Sequence, residues 1–297
     1  MSDLAAVTGA TGMVGKRIVS ALIARGLRVR ILTRAADHRD SRTEIVHGDL
    51  SDAVSVGRLL EGATMLFHCA AELHDETRMW QTNVEGTESL LEVAEKTDLK
   101  YICHLSSVGV IGLVSNPLVD ETTECRPMNA YEKSKRESEM RVERYQGNAR
   151  VVVLRPTNVV DRNRNFLHQL GKAKVFIKGG ENAHLIHADD VAAAAIYFLD
   201  HPSFDRRACF ILSCDEEKMN TVAGIVALCG AIKNKQALDS VKPLPHLPWV
   251  IPYLMRRATK GPCNRGDVRY SSRKILSAGF SFPRGLIGAL EDLCEDT

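Results

Sequence analysis

The sequence has almost no net charge: 39 Lys and Arg stand against 37 Asp and Glu, leaving +2 over 297 residues. So even a balance gives bulk electrostatics no hold on a nucleic acid, and a nucleic-acid partner is not expected. Long apolar runs are missing as well. The longest, 191–199, has nine residues, against the roughly 20 needed to cross a hydrocarbon core, so no transmembrane helix is expected. The eight cysteines form no Cys-x-x-Cys pair and have no nearby His at zinc-ligand spacing, which reads as reduced packing thiols and no metal site. The opening MSDLAAVTGATG lacks a basic stretch leading into an apolar one. It is not read as a secretory signal, and a cytoplasmic protein is expected. Internal repeats and low-complexity tracts are also lacking.

What is present fits an ordinary globular protein: 44% hydrophobic and 26% charged residues, with 21 Gly and 10 Pro, neither collagen-like nor disordered. The length suggests one large domain with a smaller elaboration. Short apolar runs at 4–7, 27–32, 44–46, 65–69, 101–106 and 151–154 read as strands buried on both faces, the habit of parallel sheets. Helical patterns at 15–25, 54–60, 80–96 and 131–145 lie between them at crossover lengths. The fold class expected is α/β with a doubly wound parallel sheet. After residue 155 the regularity weakens. A return to the sheet is read over 184–213, and four prolines within 241–252 block a regular helix through that stretch. The expected division is 1–158 plus the return as one domain, with 159–183 and 214–297 as a smaller substrate-binding region.

Directly after the first strand stands Thr8-Gly9-Ala10-Thr11-Gly12-Met13-Val14-Gly15, followed by a helical pattern. Glycines let the chain turn tightly and approach a pyrophosphate, and the helix start offers N–H donors at the positive end of its dipole. This Gly-x-x-Gly-x-x-Gly spacing resembles that of the extended short-chain dehydrogenases/reductases, the branch holding nucleotide-sugar epimerases, dehydratases and 3β-hydroxysteroid dehydrogenases. HGDL at 47–50, HCAA at 68–71, NVEGTESLLEVA at 83–94, LSSVGVIG at 105–112, YEKSK at 131–135, RPTNVVD at 155–161 and IHADDVA at 187–193 follow in the family's order. The resemblance implies a Rossmann-like domain binding NAD or NADP through Gly9, Thr11, Gly12, Met13, Val14 and Gly15. It also sets Asp49 and Leu50 beside the adenine and Ala70 in the cofactor cleft. Asp49 has a second reading, as the cap of the following helix. The second strand ends at Arg34 without the acid that would bind a ribose 2′-hydroxyl. Arg34 against a 2′-phosphate favours NADP; the other reading leaves it in solvent.

Tyr131 and Lys135 are four apart on one helix face. A phenol titrating near ~10 is a poor base at neutral pH, and a nearby ammonium stabilises the phenolate. By the resemblance Lys135 also holds the cofactor ribose, and Ser107 hydrogen-bonds the reacting oxygen of the substrate. Isolated Tyr-x-x-x-Lys spacings are common on amphipathic helices; this one gains weight from the motifs before it. No His or Asp at a motif position marks a hydrolase triad. The chemistry implied is reversible hydride transfer at a secondary alcohol or ketone.

Substrate signals are fewer. Asn158 aligns with a position that contacts the sugar or its phosphates in nucleotide-sugar enzymes, or else satisfies loop backbone. Asp161 replaces the usual glycine, with Arg162 and Arg164 to offset it or to face water. Val108 stands where sugar dehydratases carry an acidic pair, which disfavours dehydration, and Asn83 reads as structural. The stretch 247–257, LPWVIPYLMRR, is open to three readings: a cover for an apolar substrate, a peripheral membrane contact, or a packing loop. The first expectation is an epimerase or ketoreductase acting on a nucleotide-linked sugar. The second is a 3β-hydroxysteroid or dihydroflavonol type of dehydrogenase, and the third a non-catalytic cofactor-binding protein, against which Ser107, Tyr131 and Lys135 together argue. The sequence itself is silent on oligomeric state; family members often pair through the helices corresponding to 80–96 and 131–145, which leaves a homodimer open.

Overall fold

Residues 3–35, 40–162, 170–201, 204 and 206–294 are described by a computed structural model. Strands β1 (Leu4–Thr8), β2 (Arg28–Thr33), β3 (Glu44–His47), β4 (Met65–His68) and β5 (Tyr101–Leu105) alternate with α1 (Gly15–Ala24), α2 (Ala53–Leu60), α3 (Glu76–Trp80) and α4 (Gly86–Ala94). A short β6 (Leu118–Val119), α5 (Ala130–Arg144), β7 (Arg150–Pro156), β8 (Asn158–Val160), α6 (Lys172–Lys178), β9 (Leu185–His187), α7 (Ala188–Asp200) and β10 (Arg207–Leu212) come next. The chain closes with α8 (Val222–Lys233), α9 (Val250–Lys260), β11 (Arg269–Tyr270), α10 (Arg273–Ser277) and α11 (Gly285–Cys294).

The main sheet has seven strands in the order β10-β7-β5-β4-β1-β2-β3. The pairs β1–β2, β1–β4, β2–β3, β4–β5 and β5–β7 run parallel, with Thr8 opposite both Leu32 and His68, and His68 opposite His104. This is a Rossmann-like doubly wound sheet, as the alternation of apolar runs and helical patterns implied. Its central strands are buried because helices cover both faces: every residue of β1 and β4 is inside. Leu59, Leu60, Leu66, Leu90 and Ile102 form part of a core under α2 and α4, each such side chain stabilising the fold by about 1.5–3 kcal/mol. The parallel register carries the carboxyl ends of β1 to β5 to one edge, where open α/β sheets bind ligands.

The helix read over 80–96 differs from expectation. It begins earlier, at Glu76, with Asp75 capping it, and passes through a π turn at Gln81–Glu85 before resuming as α4. The proline-rich stretch also needs correcting in part, since α9 starts inside it at Val250. Pro252 falls in the first turn, where a missing N–H removes no intrahelical bond.

The chain forms two compact units. The first comprises Met1–Gly112, Pro127–Arg155 and Val191–Phe210 and holds most of the main sheet. The second comprises Leu113–Arg126, Pro156–Asp190 and Ile211–Thr297. It contains the parallel β8–β9 pair, with Asn158 opposite Leu185, and the parallel β6–β11 pair. Inside it the buried His187 ring is held by Asp292 at 2.9 Å, and Asp292 also meets Arg284 at 2.5 Å.

Candidate functional site

The turn after β1 is built so tightly that only glycine fits at two places. Gly9 has φ +64°, and a Cβ there would lie 2.6 Å from the Ala70 backbone nitrogen. A Cβ on Gly15 would lie 2.1 Å from the Gly9 carbonyl oxygen. Gly12 closes the turn with an N–H bond to that same carbonyl at 3.0 Å. Thr11 and Gly12 are exposed, Met13 is half-buried, and Val14 is buried. Among the described residues no side chain caps α1 and no acid lies in its first turn, so the helix keeps backbone donors and its positive end for an anion. These features fit a dinucleotide's pyrophosphate.

The other expected cofactor residues fall on the same sheet edge. Ala70 follows β4 and donates its N–H to Thr8 Oγ1 at 3.3 Å. Leu50 is buried under the turn after β3 and packs against Gly86. Arg34 is exposed, with its Nε 3.9 Å from an Asp49 carboxylate oxygen. Asp49 does not cap α2. Its carboxylate accepts from the Ser51 N–H and hydroxyl, while Asp52 caps the helix through the N–H groups of Val54 and Ser55.

The proton-transfer candidates gather at the end of β5. Ser107 caps a short 3₁₀ turn, its Oγ accepting from the Gly109 N–H at 3.0 Å. Tyr131 sits in the first turn of α5, whose start is fixed by a capping box between Asn129 and Glu132. One turn on, Lys135 is almost wholly buried, and its Nζ donates to the Leu105 carbonyl at 2.8 Å. Burial pulls the Lys135 amine down to about 8, against the smaller upward pull of the Glu139 and Cys69 charges. Burial raises the Tyr131 phenol above its ordinary value, opposed by a hydrogen bond from the Ser107 side chain. In this arrangement desolvation outweighs any acidifying effect of the ammonium on the phenol. The three residues nevertheless share one site: the turn capped by Ser107 packs on the first turn of α5, which bears Tyr131, with a buried ammonium one turn on.

Sequence reasoning missed what lies behind them. A polar chain crosses the core from β1 to α5: Thr8 Oγ1 to His68 Nδ1 at 2.7 Å, His68 Nε2 to Thr87 Oγ1 at 2.9 Å, Thr87 to Ser138 at 3.0 Å, and Ser138 to His104 Nε2 at 3.2 Å. Burial, and then the Lys135 charge, drop His68 to about 3 and hold His104 far below the usual range, so both rings are neutral. Asn83 in the π turn is indeed structural. Its amide donates to Ser134 Oγ and to the Glu72 carbonyl, and its oxygen accepts from the Glu72 N–H. Beyond Lys135, Glu139 and Arg155 form a buried bidentate pair at 2.9 and 2.7 Å. A signal was present in the motif HCAA and in the polar spacing Ser134, Lys135, Ser138, Glu139. Polar residues at core-facing positions of a helix mean a network to be satisfied.

In the second unit Asn158 is exposed and gives its Nδ2 to the Ala183 carbonyl at 2.9 Å, the backbone use foreseen as one alternative. Beside it His184 adopts φ +56°, uncommon for a side chain this large. Its Nδ1 meets the buried Asp215 carboxylate at 2.6 Å, itself bonded by the Tyr270 N–H and Asn220. Asp161 is buried and Arg162 exposed; Arg164 lies outside the described residues.

Comparison with known proteins places these observations. Residues 5–208 match the model of the NAD dependent epimerase/dehydratase family. The sterol demethylase protein B of Methylococcus capsulatus is 34% identical over 144 residues, 45% of this chain and 44% of that protein. The N-acetyl-alpha-D-glucosaminyl-diphospho-ditrans,octacis-undecaprenol 4-epimerase of Escherichia coli O157:H7 is 31% identical over 194 residues, 60% of this chain and 57% of that protein. The chain thus matches about half the length of these curated relatives. Among solved structures, a short-chain dehydrogenase/reductase superfamily protein from Agrobacterium tumefaciens with bound NAD superposes with a TM-score of 0.75 at 21% identity, covering 98% of this chain and 96% of that one.

Proposed function

We propose that this chain, which belongs to the NAD dependent epimerase/dehydratase family, is an oxidoreductase that moves hydride reversibly at a secondary alcohol or ketone. One observation carries the reading: the turn that Ser107 caps packs on the first turn of α5, which bears Tyr131, and the buried Lys135 ammonium lies one turn on. Gly9, Thr11, Gly12, Met13, Val14, Gly15, Leu50 and Ala70 would hold the dinucleotide, whose nicotinamide supplies the hydride acceptor or donor when bound. Lys135 is placed to reach its ribose. The Ser107 hydroxyl aligns the substrate oxygen, and Tyr131 passes the proton. A phenol kept protonated by burial is an acid ready for ketone reduction, whereas alcohol oxidation requires its phenolate.

NAD is the cofactor we favour over NADP. The Asp49 carboxylate beside Arg34 both offsets the cation that a 2′-phosphate would need and offers an acceptor to a ribose hydroxyl. Of the substrates, an apolar alcohol or ketone comes first. Asn158 bonds the backbone of His184, whose ring meets the buried carboxylate of Asp215, a poor setting for a diphosphate, and one curated relative is named for a sterol. The second reading, a nucleotide-linked sugar, is favoured by the exposed Asn158 amide, whose oxygen can meet a sugar hydroxyl.

The test is NADH oxidation with a panel of sterol ketones and nucleotide-linked ketosugars, run on the protein and on Tyr131→Phe. Loss of turnover by about a hundred- to ten-thousand-fold, with NADH binding kept, supports the assignment. Equal turnover in the variant removes Tyr131 from the chemistry.

A further inference from the structure

Among the described residues of the second unit, an apolar face stands exposed. Of the thirteen large hydrophobic side chains exposed among the described residues, seven fall on two short stretches: Phe176 and Ile177 on α6, and Leu244, Val250, Ile251, Leu254 and Met255 along 244–255. Leu254 and Met255 are 56% and 61% exposed, and Phe176 49%. The stretches are joined. The Leu247 N–H bonds to the Phe176 carbonyl at 2.8 Å, and a Cβ on Gly179 would strike the His246 side chain.

On α9, at about 100° per residue, Val250, Leu254, Ile251 and Met255 share one stripe, while Pro252 is buried on the opposite side. Arg256 also points inward and pairs with Glu181. Arg257 borders the stripe and is exposed, as are Lys172 and Lys174 on α6 and Lys242 ahead of α9. Acid stands only at the margins of these stretches, with Glu181 paired to Arg256 and Asp267 to Arg265. Residues 170–180 and 240–266 contain no Asp or Glu, in a chain that has 37 of them and a net charge of only +2. Such a segregation is not needed for packing, because the apolar residues are outside and the cations are turned to solvent beside them.

We propose that this face docks onto an anionic lipid bilayer, with Phe176, Leu254 and Met255 entering the headgroup boundary and Lys172, Lys242 and Arg257 meeting lipid phosphates. Apolar stripes rimmed by lysine and arginine bind membranes through these two terms together, and the charge term weakens with salt. Charge complementarity selects this occupant over a second copy of the chain, since two such faces would set like charges against each other. The inference goes beyond the oxidoreductase reading and does not rest on it, because binding is measured without turnover.

The experiment is co-sedimentation of the full chain with phosphatidylcholine vesicles, with and without phosphatidylglycerol. Three forms are compared: the natural chain, Leu254→Gln with Met255→Gln, and Arg257→Glu with Lys172→Glu. These positions are exposed, and thermal melts check that each variant is folded. The expected result is binding to phosphatidylglycerol vesicles roughly tenfold tighter than to pure phosphatidylcholine, weakened by high salt and lost in both variants. No binding to phosphatidylglycerol vesicles, or equal binding to both kinds, overturns the proposal. So does self-association of the natural chain that the Leu254 and Met255 changes abolish while vesicles bind neither form.

Discussion

Lys135 places a charge where charge is costly, and that cost is measurable. Its folded value of about 8 lies below the ordinary 10.5, so between those limits the unfolded chain holds more protons than the folded one. Stability attributable to this residue therefore rises as pH climbs from about 8 towards 10.5, while below 8 both states are protonated and the burial cost is constant. Denaturant unfolding across this range should show that rise in the natural protein, and Lys135→Met should flatten it. A variant that keeps the same slope would place the titration elsewhere. The residue types Tyr131, Lys135 and Ser107 were legible from spacing and motif. Their setting was not, because desolvation depends on everything packed around a group and no short window of sequence records that.

At the scale of elements, α5 explains why part of the site stayed hidden. Its buried positions are Ser134, Lys135, Ser138, Glu139 and Val142, so its inward face is mostly polar and an apolar stripe does not mark it. The strands were legible because β1, β4 and β5 are nearly continuous apolar runs; the π turn at Gln81–Glu85 was not, since one extra residue per turn leaves no compositional trace. The same network ties stability to acid. His68 and His104 stay neutral far below 6.5, whereas the unfolded chain takes up protons on both as pH falls through 6.5. Their contribution is complete above 6.5 and is lost on the way down towards pH 3, where His68 itself titrates. Urea midpoints at neutral pH and near pH 5 should differ, and His104→Gln should narrow the difference. An equal drop in the variant would assign acid sensitivity to other groups.

For the whole molecule, the order of motifs foretold a doubly wound sheet and the family, and the parallel register gathers the ends of β1 to β5 along one edge. The second unit was far less legible. Its helices α8 and α9 went unread, since α8 is apolar nearly all round and prolines obscured the start of α9. The strained His184, paired with Asp215, depends on a contact across 31 positions. Among the described residues no helix is long and apolar enough to cross a membrane.

The central claim is that the glycine turn after β1 and the α5 residues together hold a nicotinamide dinucleotide. Fluorescence titration of the protein and of Gly15→Ala with NADH and NADPH tests it most directly, because the alanine Cβ would collide with the Gly9 carbonyl and leave Tyr131 and Lys135 untouched. The expected result is saturable NADH binding, tighter than NADPH, that falls at least about tenfold in a folded Gly15→Ala protein. Failure of the natural protein to bind either nucleotide, or unchanged binding in the variant, would contradict the account.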